Sequence, residues 1–327
     1  MLVRNLLAVF AAMVSPLPSI QREYSTRGEQ TVLSLERERN FKYEIRLSDE
    51  DTVSTFCVEF TFKQMLIWDD MNGASGFHVS CKKGRRNNRK LVIWIHGGPW
   101  TYASKDMVLE QMAFLEGGYD LFIPLYPGSA DRPIRFEGSQ MIPDVVDALT
   151  EIKAAFGWAE KRYKTVDVVG ESFGAFLATS LVPNLGSKNS LYLHNPSLGG
   201  PGRLAEYYAS QGEDLKIEGV PKEASQAEAK RITNAYFARL ENYHPRRLLE
   251  STKGLKLKLV YGGRDRLMVP DEIKSLERLA VPVCGVDYRP DNGHEFARTR
   301  QQFETFRAMI RCGAPSPSPS SASLARP

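Results

Sequence analysis

The chain has 327 residues, 42% of them hydrophobic and 10% aromatic, which is ample material for a full apolar core. A net charge of +4 on a charged fraction of 25% is too mild an excess to call for a nucleic-acid partner. The four cysteines, Cys57, Cys81, Cys284 and Cys312, contain no C-x-x-C pair. That excludes the common zinc-knuckle and dithiol patterns and leaves two alternatives, two disulfides in an exported chain or thiols in a retained one.

Residues 1–5 carry one cation, Arg4, residues 6–14 (LLAVFAAMV) are apolar, and residues 15–19 (SPLPS) break the run. This order predicts a secretory signal over residues 1–19 and a secreted or periplasmic chain, the alternative being a retained leader and a cytoplasmic one. The run falls well short of the ~20 apolar residues that a bilayer requires, so no stable membrane span is expected.

Residues 41–47 (FKYEIRL) and 53–62 (VSTFCVEFTF) alternate polar with apolar and predict antiparallel strands at the start of a sheet. The basic run at 82–90 (KKGRRNNRK) reads as a solvated loop. Six short apolar runs follow, at 91–95, 120–125, 165–169, 190–193, 255–261 and 281–288. Between them, residues 108–116, 142–156, 173–181 and 271–279 show apolar spacing of i, i+3, i+4. Strands alternating with helices predict a doubly wound, mostly parallel α/β sheet with right-handed crossovers. Residues 195–253 interrupt the alternation with two helical stretches, around 203–211 and 224–240, and read as a helical lid. The tail at 313–327 (GAPSPSPSSASLARP) is too rich in Pro and Ser to build a core and is expected to be disordered. One domain over residues 20–312 remains.

Gly170-Glu171-Ser172-Phe173-Gly174 follows the strand pattern TVDVV and precedes a helical stretch. Between a strand and a helix, G-x-S-x-G predicts a tight elbow that lifts the Ser172 hydroxyl above the sheet. A serine hydroxyl is a weak nucleophile without a base to take its proton. Of five histidines, His294 lies in a loop (PDNGHEF) after the last predicted strand, at the edge where a doubly wound sheet binds ligands. His194, which ends the strand after the elbow, is the runner-up. The third partner must be a carboxylate that sets the imidazole tautomer. Asp265, in YGGRD directly after the strand LKLKLVY, is the candidate on the same edge, with Asp287 and Asp291 competing. An oxyanion would need backbone N–H donors, for which Phe173 and Gly98 of the HGGP turn are the candidates, because Pro99 has no N–H. Trp100 is a candidate pocket wall. No metal constellation is visible, and no organic cofactor is called for.

Together these motifs resemble the α/β-hydrolase superfamily over residues 88–311. HGGP, GESFG, GGRD and NGHEF look most like the catalytic domains of prolyl oligopeptidase-type enzymes, with proline iminopeptidases close behind. The resemblance implies the α/β-hydrolase fold, a triad of Ser172, Asp265 and His294, and oxyanion donors at Gly98 and Phe173. It implies a serine hydrolase that cleaves an amide or ester bond through an acyl-enzyme, a serine peptidase or aminopeptidase-like enzyme acting on a small molecule or short peptide. The chain departs from the type in having only about 90 residues before this region, too few for a β-propeller, and Ala175 where many members have a glycine. Carboxylesterase and a hydrolase-like binding protein without turnover are the rival expectations.

Overall fold

The computed structural model describes residues 22–27, 30–36, 44–46, 52–54, 60–69, 72–81, 90–98, 109–129, 132, 135–137, 140–142, 145–210, 226–251, 254–265 and 284–294. The expected signal at 1–19, all of the basic run at 82–90 except Lys90, Pro99 and Trp100, the stretch at 271–279 expected to be helical and the tail at 313–327 lie outside them.

The strands are β1 (Arg22–Arg27), β2 (Gln30–Glu36), β3 (Glu44–Arg46), β4 (Thr52–Ser54), β5 (Phe60–Asp69), β6 (Asn72–Cys81) and β7 (Lys90–Ile95). They continue with β8 (Asp120–Pro124), β9 (Arg135–Glu137), β10 (Gln140–Ile142), β11 (Thr165–Glu171), β12 (Ser190–His194), β13 (Lys256–Gly262) and β14 (Val286–Arg289). The helices are α1 (Leu109–Glu116), α2 (Val145–Glu160), α3 (Phe173–Thr179), α4 (Gly200–Ser210), α5 (Gln226–Ala238) and α6 (Pro245–Glu250).

Ten of the described strands form one sheet in the order β1-β2-β5-β6-β8-β7-β11-β12-β13-β14. From β8 through β14 every neighbouring pair is parallel, and from β1 to β8 every pair is antiparallel. The parallel half follows the apolar runs of the sequence. The antiparallel half differs from expectation: the predicted strand at 53–62 is divided between β4 and β5, and β6 carries no clean alternation. Its Gly73 and Gly76 blur the pattern, and Gly76 is needed because a Cβ there would stand 2.5 Å from the Phe122 ring.

The parallel strands are buried on both faces, which is why they read as continuous apolar runs. Leu91, Ile93 and Ile95 of β7 join a core cluster with Val145, Ala148, Leu149, Ile152 and Phe156, the inward stripe of α2. Trp94 faces the other way and packs edge-on against Phe114 of α1, with Tyr192 of β12 on the same ring. Each fully buried Leu, Ile or Phe contributes about 2 kcal/mol, so this two-sided burial fixes which strand ends share an edge. Cys284, just before β14, is in a disulfide. No helix among the described residues is long and apolar enough to cross a membrane.

Candidate active site

Ser172 sits between the end of β11 and the start of α3 with φ 53° and ψ −119°, a conformation that costs a non-glycine residue about 1–3 kcal/mol. Its surroundings enforce it. The Ser172 N–H donates to the His194 carbonyl at 2.9 Å, and the Ser172 carbonyl accepts from Ala175 N–H at 3.0 Å. The two elbow glycines are obligatory because the turn is so close. A Cβ on Gly170 would lie 2.5 Å from Ala175 Cα, and one on Gly174 would overlap the Ile95 and His96 carbonyl oxygens. Ser172 is buried, at 8% exposure, at a rim shared with the ends of β12 and β13.

The His294 ring bridges two groups from distant parts of the chain. Its Nε2 lies 2.9 Å from Ser172 Oγ, and its Nδ1 lies 2.9 Å from Asp265 Oδ2. The Asp265 side chain is 1% exposed and that of His294 is 32% exposed, so the carboxylate is sealed while the imidazole reaches the surface. The tautomer follows from chemistry. A carboxylate only accepts, so Nδ1 carries the hydrogen and Nε2 is left to accept from the serine hydroxyl.

The turns bearing Asp265 and His294 are zipped together through their backbones. Gly263 N–H donates to Arg289 O at 2.8 Å and Arg264 N–H to Asn292 O at 2.9 Å. The competing acids point elsewhere: Asp291 meets Arg264 in an exposed pair at 3.2 Å, and Asp287 meets Arg289 at 3.1 Å. The runner-up His194 lies beneath the site. Burial, with the charges of His294 and Arg289 adding to it, pushes its pKa down to about 3.

Gly98 ends the turn after β7, with φ 140°. The turn is held from behind by Tyr126, whose hydroxyl donates to the carbonyls of His96 at 2.9 Å and Gly97 at 3.1 Å. In a trans peptide the N–H opposes the C=O, so the bond to Gly97 O directs the Gly98 N–H away from Tyr126. The His96 ring stacks on Tyr126 at 4.6 Å, its Nδ1 is 2.7 Å from Gly97 O, and burial lowers its pKa to about 4. Phe173 opens α3, where the first N–H groups have no partner within the helix. Its ring is fully buried among Phe176, Tyr236 and Phe237.

Sequence reasoning missed Tyr126 and Asn195. Tyr126 was legible only as an aromatic after a strand. Asn195 carried a signal, an asparagine directly after β12 at the edge that holds the elbow. Among the described residues no three His, Cys, Asp or Glu side chains are grouped to hold a metal ion.

Several solved structures are similar in fold. An esterase from Pyrococcus furiosus matches with a TM-score of 0.51 at 18% identity, over 77% of this chain and 89% of that one. An esterase from the fungus Rhizomucor miehei matches with a TM-score of 0.54 at 15% identity, over 77% and 82%. An acylaminoacyl peptidase from Pyrococcus horikoshii matches with a TM-score of 0.53 at 12% identity, over 90% of this chain and 49% of that one. The chain has the α/β-hydrolase fold. No family model and no curated relative matches the sequence. In an α/β-hydrolase fold, loops after the carboxyl ends of the parallel strands surround the ligand crevice, which is the edge where Ser172, Asp265 and His294 meet.

Proposed function

We propose that the chain is a serine hydrolase that cleaves an ester or amide through an acyl-enzyme. The observation that carries this reading is the hydrogen-bonded file from Ser172 Oγ through His294 to Asp265, at 2.9 Å for each step. His294 Nε2 takes the hydroxyl proton as Ser172 Oγ bonds to the carbonyl carbon. Asp265 holds the ring and stabilises its charged form. The oxyanion accepts from the backbone N–H groups of Phe173 and Gly98, the latter in the turn braced by Tyr126. His294 then returns the proton to the leaving alcohol or amine, and a water molecule repeats the steps to release the acid.

Two substrate readings follow. A peptide or aminoacyl amide is favoured by the motif resemblance and by the likeness to an acylaminoacyl peptidase that extends over 90% of this chain. A carboxylic ester is favoured by the two esterases of similar fold. The lid carboxylate Glu206, which could anchor a substrate amine, is instead exposed beside Arg203 at 3.2 Å. Glu213 and Asp214, two further carboxylates in residues 195–253, lie outside the described residues. The disulfide at Cys284 supports an exported, oxidising location.

A panel of p-nitrophenyl esters and aminoacyl anilides separates the two substrate readings. A fluorophosphonate probe tests the class: the wild type should label and the Ser172→Ala variant should neither label nor turn over. Retained turnover in Ser172→Ala would overturn the nucleophile assignment. An unlabelled, inactive wild type would favour the binding-protein rival.

A further inference from the structure

Asn195 stands immediately after β12, and its side chain holds both the acid-bearing and the base-bearing turn from a third element. It is 1% exposed and adopts φ 44°, a left-handed conformation that asparagine tolerates better than most residues. Its backbone N–H donates to Val260 O at 2.8 Å, which anchors it to β13. Its Oδ1 accepts from Gly262 N–H at 3.0 Å, at the start of the turn that ends in Asp265. Its Nδ2 donates to the backbone carbonyl of His294. The amide orientation is dictated by these partners, since a backbone N–H can meet only the oxygen and a carbonyl only the nitrogen. His194, the preceding residue, accepts from the N–H of Ser172. Two consecutive residues thus touch all three turns that carry Ser172, Asp265 and His294.

We propose that Asn195 is a positioning residue for the reaction, a tether that sets the height of the His294 backbone above the sheet relative to Asp265 and Ser172. This deepens the serine-hydrolase reading and rests on it. The chemistry explains the residue type. One short planar group must both donate and accept, and it must spring from a left-handed backbone. Aspartate accepts but cannot donate, and serine is too short to reach both turns. Glutamine adds a methylene, which would displace the carboxamide from two fixed partners. Without the tether the imidazole drifts, and a misplacement of about 1 Å can lower a rate about 100-fold.

Asn195→Gly is the decisive variant, because glycine accepts the left-handed backbone freely and removes only the carboxamide. Asn195→Asp keeps the acceptor toward Gly262 and removes the donor toward His294. The readout is the rate constant of fluorophosphonate labelling, with kcat and KM on whichever chromogenic substrate the wild type cleaves. Labelling is followed well below the melting transition of each variant, where nearly all molecules are folded, so loss of stability alone leaves the rate constant unchanged. For Asn195→Gly we expect labelling and kcat to fall about 10- to 100-fold with KM within about twofold. For Asn195→Asp we expect a fall of similar size. Wild-type labelling in Asn195→Gly, with only a lower melting temperature, would reduce Asn195 to a structural residue and overturn the tether. Failure of the wild type itself to label, or labelling of Ser172→Ala, would instead sink the serine-hydrolase reading.

Discussion

The two ends of the parallel sheet each hold a histidine, a hydroxyl and an aspartate, and only one of the two arrangements can make a nucleophile. At the carboxyl end the histidine is in the middle, with its nitrogens on Ser172 and Asp265. At the opposite end the hydroxyl is in the middle: His78 Nε2 lies 2.9 Å from Tyr163 Oη, which donates to Asp120 at 3.4 Å. The one hydroxyl hydrogen goes to the carboxylate, so the His78 ring donates to the Tyr163 oxygen instead of taking a proton from it. Burial and the nearby charge of Asp120 also push the Tyr163 pKa further up, so its oxygen stays protonated. A second buried acid at that end, Asp167, accepts from Ser190 N–H at 2.7 Å and has its pKa raised by burial. Asp120 opens β8 and Ser190 opens β12, so these bonds tie the first residues of two parallel strands to their neighbours. The same side-chain inventory serves stability or chemistry according to which member occupies the centre.

The largest effect that would test this contrast is a pair of isosteric changes. Asp265→Asn should lower kcat by about 10⁴ by stabilising the wrong imidazole tautomer, whereas Asp120→Asn should leave kcat within about twofold. Equal losses in the two variants would erase the distinction between the ends. Steady-state kinetics on the best panel substrate decide it.

Next in size is the strain stored at the elbow. Gly170→Ala should cost about 3 kcal/mol, because the added Cβ meets the backbone of Ala175 at 2.5 Å and nothing flexible can yield. Gly157→Ala, in α2 with nothing within 4 Å of the new Cβ, should stabilise the fold by about 0.5–1 kcal/mol. Urea denaturation of the two variants measures both. A neutral Gly170→Ala would mean the elbow is looser than described.

The pH dependence of stability sharpens the comparison further. Burial and neighbouring charge hold the folded-state pKa of His194 near 3, below its unfolded value of about 6.5. Between those limits the unfolded chain binds the extra proton, so stability should fall on acidification from about pH 6.5 toward pH 4. The slope from this one group approaches about 1.4 kcal/mol per pH unit. His194→Asn should flatten that slope. Asp167 and Glu151, whose pKa values burial raises, act with the opposite sign in both proteins and cancel from the difference. An unchanged slope, measured from urea midpoints across the window, would show that His194 does not carry it.

A modest effect belongs to the opposite end. Tyr163→Phe should cost about 1–2 kcal/mol by leaving His78 and Asp120 without their shared hydroxyl. Its labelling by a fluorophosphonate should be that of the wild type. A drop in labelling would connect the two ends in a way the hydrogen bonds do not.

By itself, the sequence determined the parallel half of the fold and the edge that holds the candidate site. Strands buried on both faces leave continuous apolar runs, and a strand-to-helix turn as tight as Gly170–Gly174 admits few residue types. It also placed Ser172, Asp265 and His294 after strands, because position along the chain decides which end of a parallel sheet a loop occupies. Only tertiary structure decided what touches what. The antiparallel strands β5 and β6 owe their register to partners across the sheet, where glycine breaks the alternation. Asp265 prevailed over Asp287 and Asp291 because backbone bonds between two turns aim one carboxylate at the ring and hand the others to arginines. Asn195 and Tyr126 act through carbonyls and N–H groups of residues far along the chain. Such contacts leave no spacing to read, because a backbone hydrogen bond is indifferent to the side chain of the residue it reaches.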